Sequence, residues 1–319
     1  MKIHYFYTLN KLSQFMKKLL LISTIIMSTA TFAQQILSPE TLWKLNRVSV
    51  LGISKDKKSI VYKVTTPSVE ENKSSSKTYS MPIAGGKATE IKETKGLLVD
   101  KNLSPDGKYT LSSNEVKIDK VLGKDYYPEL DKSDVQIYNA LDYRHWDTWN
   151  EGLYNHVFVS ENNDKATPTD IMAKEPFNCP QKPFGGDEDY IWSPTSKSVV
   201  YVSKKLSGTA YATSTDTNLF EYNLETKTTK NLTEANKGYD TNPAFSPNGQ
   251  LTWLQMKRDG YEADKNDIIV RVNDKYDLNL TAGWDNSVDS FQWSADGKKV
   301  NFTAAINGTK QLFEVNYPG

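Results

Sequence analysis

The chain has 319 residues with 39 basic and 39 acidic side chains and a formal net charge of zero, and its basic residues form no tract longer than pairs such as Lys204-Lys205. That balance speaks against a nucleic-acid partner. One cysteine, Cys179, excludes an internal disulfide and reads as a small loop or core residue, so any stability has to come from packing.

In chain order, Met16-Lys17-Lys18, the apolar run Leu19 to Met27 and the small-residue stretch ending Thr31-Phe32-Ala33 have the three regions of a secretory signal over residues 1–33. Fifteen residues precede Met16, so either the basic region is unusually long or translation starts at Met16. Once the signal is cleaved no membrane segment is expected, and the protein is secreted or periplasmic. The remaining residues, 34–319, suffice for one large domain. Ser38-Pro39-Glu40 begins a short helix, with Ser as cap, Pro at the first helical position, and Leu42 and Leu45 at helical spacing.

From there one pattern recurs five times: an apolar strand, a turn written Ser-Pro-Asp-Gly or a variant of it, and a second apolar strand. The copies begin at Ser54, Ser104, Ser193, Ser246 and Ser294. Pro presets φ, Asp or Asn tolerates the next position, and Gly supplies the positive φ that a hairpin requires. The steps between serines are 50, 89, 53 and 48 residues, against roughly 40 to 50 for a four-stranded propeller blade. The pattern predicts an all-β fold, a β-propeller of TolB/WD-like repeats over residues 34–319 with five to six four-stranded blades. The step of 89 holds either an unmarked blade or a large insertion.

Val48 to Ile53 and Ser59 to Val64 form the first hairpin, and the polar stretch Ser68 to Thr78 reads as a surface loop or linker. Val99 to Leu103 and Tyr109 to Ser113 repeat the hairpin. Asp134 to Tyr138 alternates like a strand, as does Val157 to Val159. Leu219 to Leu224, Ile268 to Val272 and Gln311 to Val315 are expected third strands of later blades. Only 25 residues follow Ser294, enough for two or three strands, so the ring is expected to be incomplete.

The chemistry is sparse. Beyond residue 33 the only histidines are His145 and His156, and the chain has no Gly-x-Ser-x-Gly elbow, no His-Glu-x-x-His and no Cys-x-x-Cys. No catalytic residue, metal site or cofactor is expected, and the chain alone is expected to be inactive.

Three segments are more specific than the turns. They are Arg144-His145-Trp146-Asp147, then Asn178-Cys179-Pro180 with Pro183-Phe184-Gly185-Gly186-Asp187-Glu188-Asp189-Tyr190, and Gly238-Tyr239-Asp240-Thr241-Asn242-Pro243. On these residues the chain resembles the N-terminal β-propeller of secreted prolyl oligopeptidase family serine peptidases, of the dipeptidyl-peptidase V and acylaminoacyl peptidase type. The resemblance implies a propeller that gates and positions peptide substrates for a C-terminal α/β-hydrolase domain, which these residues do not encode and a downstream sequence would have to supply. It further implies that propeller carboxylates bind a peptide's free amino terminus, because an ammonium in a partly dry cleft needs an anionic partner. Candidates are Asp147, Glu151, Asp187, Glu188 and Asp189, with Arg144 for a substrate carbonyl and His145 beside them. The alternatives are structural: a solvated acidic loop, an Arg144–Asp147 ion pair and a packed His145 ring. A stand-alone TolB-like propeller that binds a protein or peptide is the competing function.

Overall fold

The computed structural model describes residues 37–318 apart from Lys95 and Asp164; the signal expected over residues 1–33 lies outside them. Twenty strands dominate the described residues. The short helix α1 (Pro39–Lys44) opens the described chain as its sequence predicts, with the Ser38 hydroxyl accepting the Thr41 amide N–H.

Two units divide the chain, Met1–Val99 and Asp100–Gly319. The first holds one antiparallel sheet of β1 (Arg47–Ile53), β2 (Ser59–Ser68), β3 (Lys73–Pro82) and β4 (Thr89–Ile91), in that order. Here the polar stretch Ser68 to Thr78 departs from its expectation. Most of it is β3, paired with β2 in unbroken register from Ser68↔Lys73 to Ser59↔Pro82. Backbone pairing does not require apolar side chains where a strand is exposed on both faces, which is why serines and lysines serve here.

In the second unit β5 (Tyr109–Lys117), β8 (Leu153–Glu161) and β9 (Thr169–Asp170) form one sheet. Strands β10 (Tyr190–Trp192), β11 (Ser198–Ser203), β12 (Asn218–Asn223) and β13 (Thr229–Asn231) form the next. It is followed by β14 (Asp240–Phe245), β15 (Leu251–Gln255), β16 (Asp267–Asn273) and β17 (Tyr276–Asn279), and finally by β18 (Ser290–Trp293), β19 (Lys299–Ile306) and β20 (Thr309–Asn316). Five blade sheets are thus described, three of them four-stranded and two three-stranded.

The step of 89 resolves into a single blade with an insertion. Its first strand, expected over Val99 to Leu103, is reduced to one bridge, Leu103↔Thr110, and a bond from the Leu111 amide to Asn102 O. Its second and third strands, β5 and β8, pair continuously from Tyr109↔Glu161 to Lys117↔Leu153. Residues 118–152 are inserted between them. The strand expected at Asp134 to Tyr138 lies in this insertion and is only the bridge Leu122↔Gln136, because no neighbouring strand runs alongside to extend the pairing.

The five turns share a mechanism that depends on the serine as well as on the glycine. The fourth residue has positive φ in every copy: Lys57 (59°), Gly107 (74°), Ser196 (60°), Gly249 (88°) and Gly297 (67°). In the second copy the Ser104 hydroxyl donates to Asp106 (2.7 Å) and accepts the Tyr109 N–H (2.9 Å), while Asp106 accepts the Lys108 N–H (3.1 Å). The same three bonds recur at Ser54 and Ser294.

Strand periodicity builds the core of the second unit. Every residue of β11 is buried, and its side chains alternate between two neighbours: Val199 and Tyr201 join Leu111, Val157 and Val159, whereas Val200 and Val202 join Leu251, Trp253 and Ile269. One strand position further, Leu254 and Ile268 pack with Val300 and Phe302. Cys179 is buried in the first of these clusters, as its core reading requires.

Candidate functional site

The insertion rises from the β5–β8 hairpin and is tied at its base. The amides of Ile118 and Asp119 both donate to Gly152 O, at 2.9 and 3.3 Å. Gly152 has φ of 73°, and a Cβ there would run into the carbonyl of Asp119, so the position demands glycine. Above it Asn150 accepts the Gly152 N–H on its side chain (2.9 Å), donates to Asp142 O (3.2 Å) and bonds Tyr143 O through its backbone (2.9 Å). Helix α2 (Gly123–Tyr126) carries Asp125, which accepts the amides of Val121 and Leu122 and meets the Lys117 ammonium at 2.7 Å. That ammonium and those amides lower the Asp125 carboxyl to about 2. A two-stranded hairpin, β6 (Arg144–His145) and β7 (Thr148–Trp149), completes the insertion with Trp146 and Asp147 at its turn.

Facing the insertion is the loop Pro176–Gly186. The Cys179 amide donates to Asn155 O, Asn178 accepts the Asn155 amide on its side chain, and Lys182 reaches Glu115 (2.7 Å) and Leu153 O (3.2 Å). A third wall is the segment Leu206–Gly208 with helix α3 (Gly208–Thr213). Together they enclose a cavity of about 1240 Å³, wholly within the second unit.

Among its charged lining residues, carboxylates outnumber ammonium groups. Glu115, Asp119, Asp142, Asp147 and Glu151 face Lys120 and Lys182. Lys182 is engaged by Glu115, and Asp119 accepts the Tyr154 hydroxyl at 2.6 Å, leaving Asp142, Asp147 and Glu151 with no side-chain donor among the described residues. An excess of anionic groups with free acceptor capacity favours a cationic ligand. Burial raises the Asp142 carboxyl above its ordinary range, with Lys204 and His145 opposing the shift. Lys204 is lowered by burial; its ammonium donates to Tyr211 O and Ser214 O at 2.8 and 2.9 Å and lies 4.1 Å from the Tyr211 ring centre.

The candidates read from sequence separate into two groups. His145, Asp147 and Glu151 line the cavity. Arg144, Asp187, Glu188 and Asp189 do not. Arg144 forms no ion pair with Asp147; its guanidinium stacks over Trp149, 5.5 Å from the ring centre. Asp187 accepts the Tyr190 hydroxyl at 3.0 Å. Asp189 is buried and accepts the Gln181 amide at 2.8 Å, bracing the loop from beneath, and burial pushes its carboxyl up to about 7. Asp142, Tyr211 and the Asp119–Tyr154 pair escape a sequence reading. The Asn-Ala-Leu-Asp-Tyr context of Asp142 has no motif, and its place depends on the positive φ (68°) that turns the chain toward the cavity.

Repeated antiparallel blades stacked through alternating strand faces make this chain a β-propeller, with an acidic cavity built on an insertion in one blade. No protein-family model matches it. Its similarity to known proteins is nonetheless specific. Dipeptidyl-peptidase 5 of Porphyromonas gingivalis is 32% identical over an alignment covering 90% of this chain and 49% of that protein. The dipeptidyl-peptidase 5 of Porphyromonas endodontalis is 29% identical over 73% of this chain and 40% of its own length. Among solved structures, the acylaminoacyl peptidase of Pyrococcus horikoshii superposes with a TM-score of 0.57 at 13% identity, covering 88% of this chain and 46% of that one, a likeness of fold. The chain spans about half the length of the curated relatives it matches. The resemblance to the propeller portion of prolyl oligopeptidase-type peptidases is borne out: this chain is a homologue of part of dipeptidyl-peptidase 5.

Proposed function

We propose that this chain is the propeller portion of a serine exopeptidase and that its cavity receives the free amino terminus of a peptide and orients the chain for cleavage elsewhere. The observation that carries this reading is the set Asp142, Asp147 and Glu151, three carboxylates without side-chain donors lining one cavity. A peptide ammonium supplies three N–H donors to such a set. Homology to dipeptidyl-peptidase 5 supports a peptide as the ligand. The chain contributes binding rather than bond cleavage, since its 319 residues contain no nucleophile elbow. The segment before Gln34 directs export, so the site works in the periplasm or outside the cell; cell fractionation with N-terminal sequencing of the exported form tests that part.

Calorimetric titration with a free-amino tripeptide tests the site. Asp147→Asn and Glu151→Gln are each expected to weaken binding at least several-fold, and Asp187→Asn, outside the cavity, to leave it unchanged. Equal affinity in all three variants would show that the peptide binds elsewhere.

A further inference from the structure

A second cavity, of about 590 Å³, is built on the insertion, where Tyr138, Tyr143 and Trp149 line it together with Asp134, Gln136 and Asn139. Tyr138, Asn139 and Trp149 also line the acidic cavity, whereas Asp134, Gln136 and Tyr143 line this one alone. The β6–β7 hairpin sets two of the rings: Trp149 ends β7, and the Asn150 amide donates to Tyr143 O at the hairpin base (2.9 Å). The Tyr138 hydroxyl lies 2.8 Å from Asn150 O and 3.0 Å from Gln136 Oε1, which pins its ring beside them. The three ring centres stand 5.6 to 6.1 Å apart, with planes tilted by 18 to 42°. None of the three belongs to a core cluster; Tyr143 is 41% exposed and Trp149 45% exposed.

Polar capacity around these rings is unspent. Among the described residues the Asp134 carboxylate, the Asn139 amide, the Gln136 NH2, the Trp149 indole N–H and the Tyr143 hydroxyl make no hydrogen bond within the fold. Charge narrows the ligand they suit. Asp134 repels an anion, and the Arg144 guanidinium, 5.5 Å from the Trp149 ring centre, repels a cation. What fits is a neutral molecule with apolar C–H faces for the rings and a rim of hydroxyls, which both donate and accept, for the carboxylate, the amides and the indole N–H. A pyranose ring has this makeup. We propose that this cavity binds a neutral pyranose residue of a glycan. Its C–H face covers Tyr143 and Trp149 and removes their exposed apolar area from water, while Asp134, Gln136 and Asn139 take the hydroxyls.

Saturation-transfer NMR on the whole chain tests the site, with maltotriose, cellotriose and triacetylchitotriose as glycan probes and choline as a cationic one. Irradiating the protein's aromatic protons is expected to transfer saturation to the C–H protons of at least one trisaccharide and not to choline. Tyr143→Ala and Asp134→Ala are each expected to weaken that sugar's binding at least about 5-fold, and Tyr143→Phe to keep most of it. The Asp134 side chain makes no bond within the fold, so Asp134→Ala is expected to melt with wild type and carries the test even where Tyr143→Ala loosens the insertion. Absence of saturation on all three trisaccharides overturns the site, and so does unchanged sugar affinity in both alanine variants. Binding of choline but of no sugar, lost in the same variants, overturns the glycan reading and assigns the cavity to an organic cation.

Discussion

Asp189 shows how a single residue divides structural from ligand-binding roles. Sequence places it in an acidic run, Asp187-Glu188-Asp189, that reads as a cationic-ligand site, yet its carboxylate turns inward to hold the Gln181 amide. Burial raises it to about 7 from an unfolded value of about 4, and neighbouring Glu188 pushes in the same direction. A carboxyl with a raised folded pKa contributes stability that is full below the unfolded pKa and declines as pH rises through the folded one. Its contribution is therefore expected to fall between about pH 4 and 7. An amide oxygen accepts the same N–H without ionising, so Asp189→Asn is expected to match wild type near pH 4 and to melt higher at pH 8. Thermal melts of both proteins across that range check this; parallel curves would contradict it. Asp240 offers a contrast, because burial lifts it while Trp253, Gln255 and Asn236 donate to it at 2.8, 2.8 and 3.1 Å, holding it at about 6.

At the scale of elements, the repeated turn and the insertion differ in how well sequence describes them. The turn is local, so its residue types announce it, and all five hairpins lie where Ser-Pro-Asp-Gly and its variants stand. Only the serine's part goes unread, since its bond to the amide five residues on appears once the hairpin is formed. Ser104 is buried, so Ser104→Ala strands the Tyr109 N–H and frees Asp106; a loss of about 1 to 3 kcal/mol is expected in denaturant unfolding. No measurable change would show that the glycine alone sets the turn. The insertion, by contrast, has no period and is held by long-range bonds such as Lys182–Glu115 and Asn155 to Asn178. This explains why Asp147 and Glu151 are legible from a family motif and its surroundings while Asp142 and Tyr211 are not. Gly152→Ala places a methyl group against Asp119 O in a left-handed residue. It is expected to cost at least about 1 to 2 kcal/mol from the backbone conformation alone and to weaken peptide binding by misplacing the insertion. Unfolding and titration of the same variant check both effects.

For the molecule as a whole, the fold is legible because a propeller repeats its evidence, whereas its site occurs once. The polar strand β3 escapes for the complementary reason: its serines lack the apolar alternation that sequence reading depends on, although its backbone pairs fully with β2.

Whether the cavity takes a free amino terminus is decided by calorimetric titration of one tripeptide in free and N-acetylated forms. Acetylation removes the positive charge and two of three donors while leaving the side chains intact. At least about tenfold weaker binding of the acetylated peptide is expected, equivalent to about 1.4 kcal/mol. Equal or tighter binding of the acetylated form would contradict a site built around the ammonium.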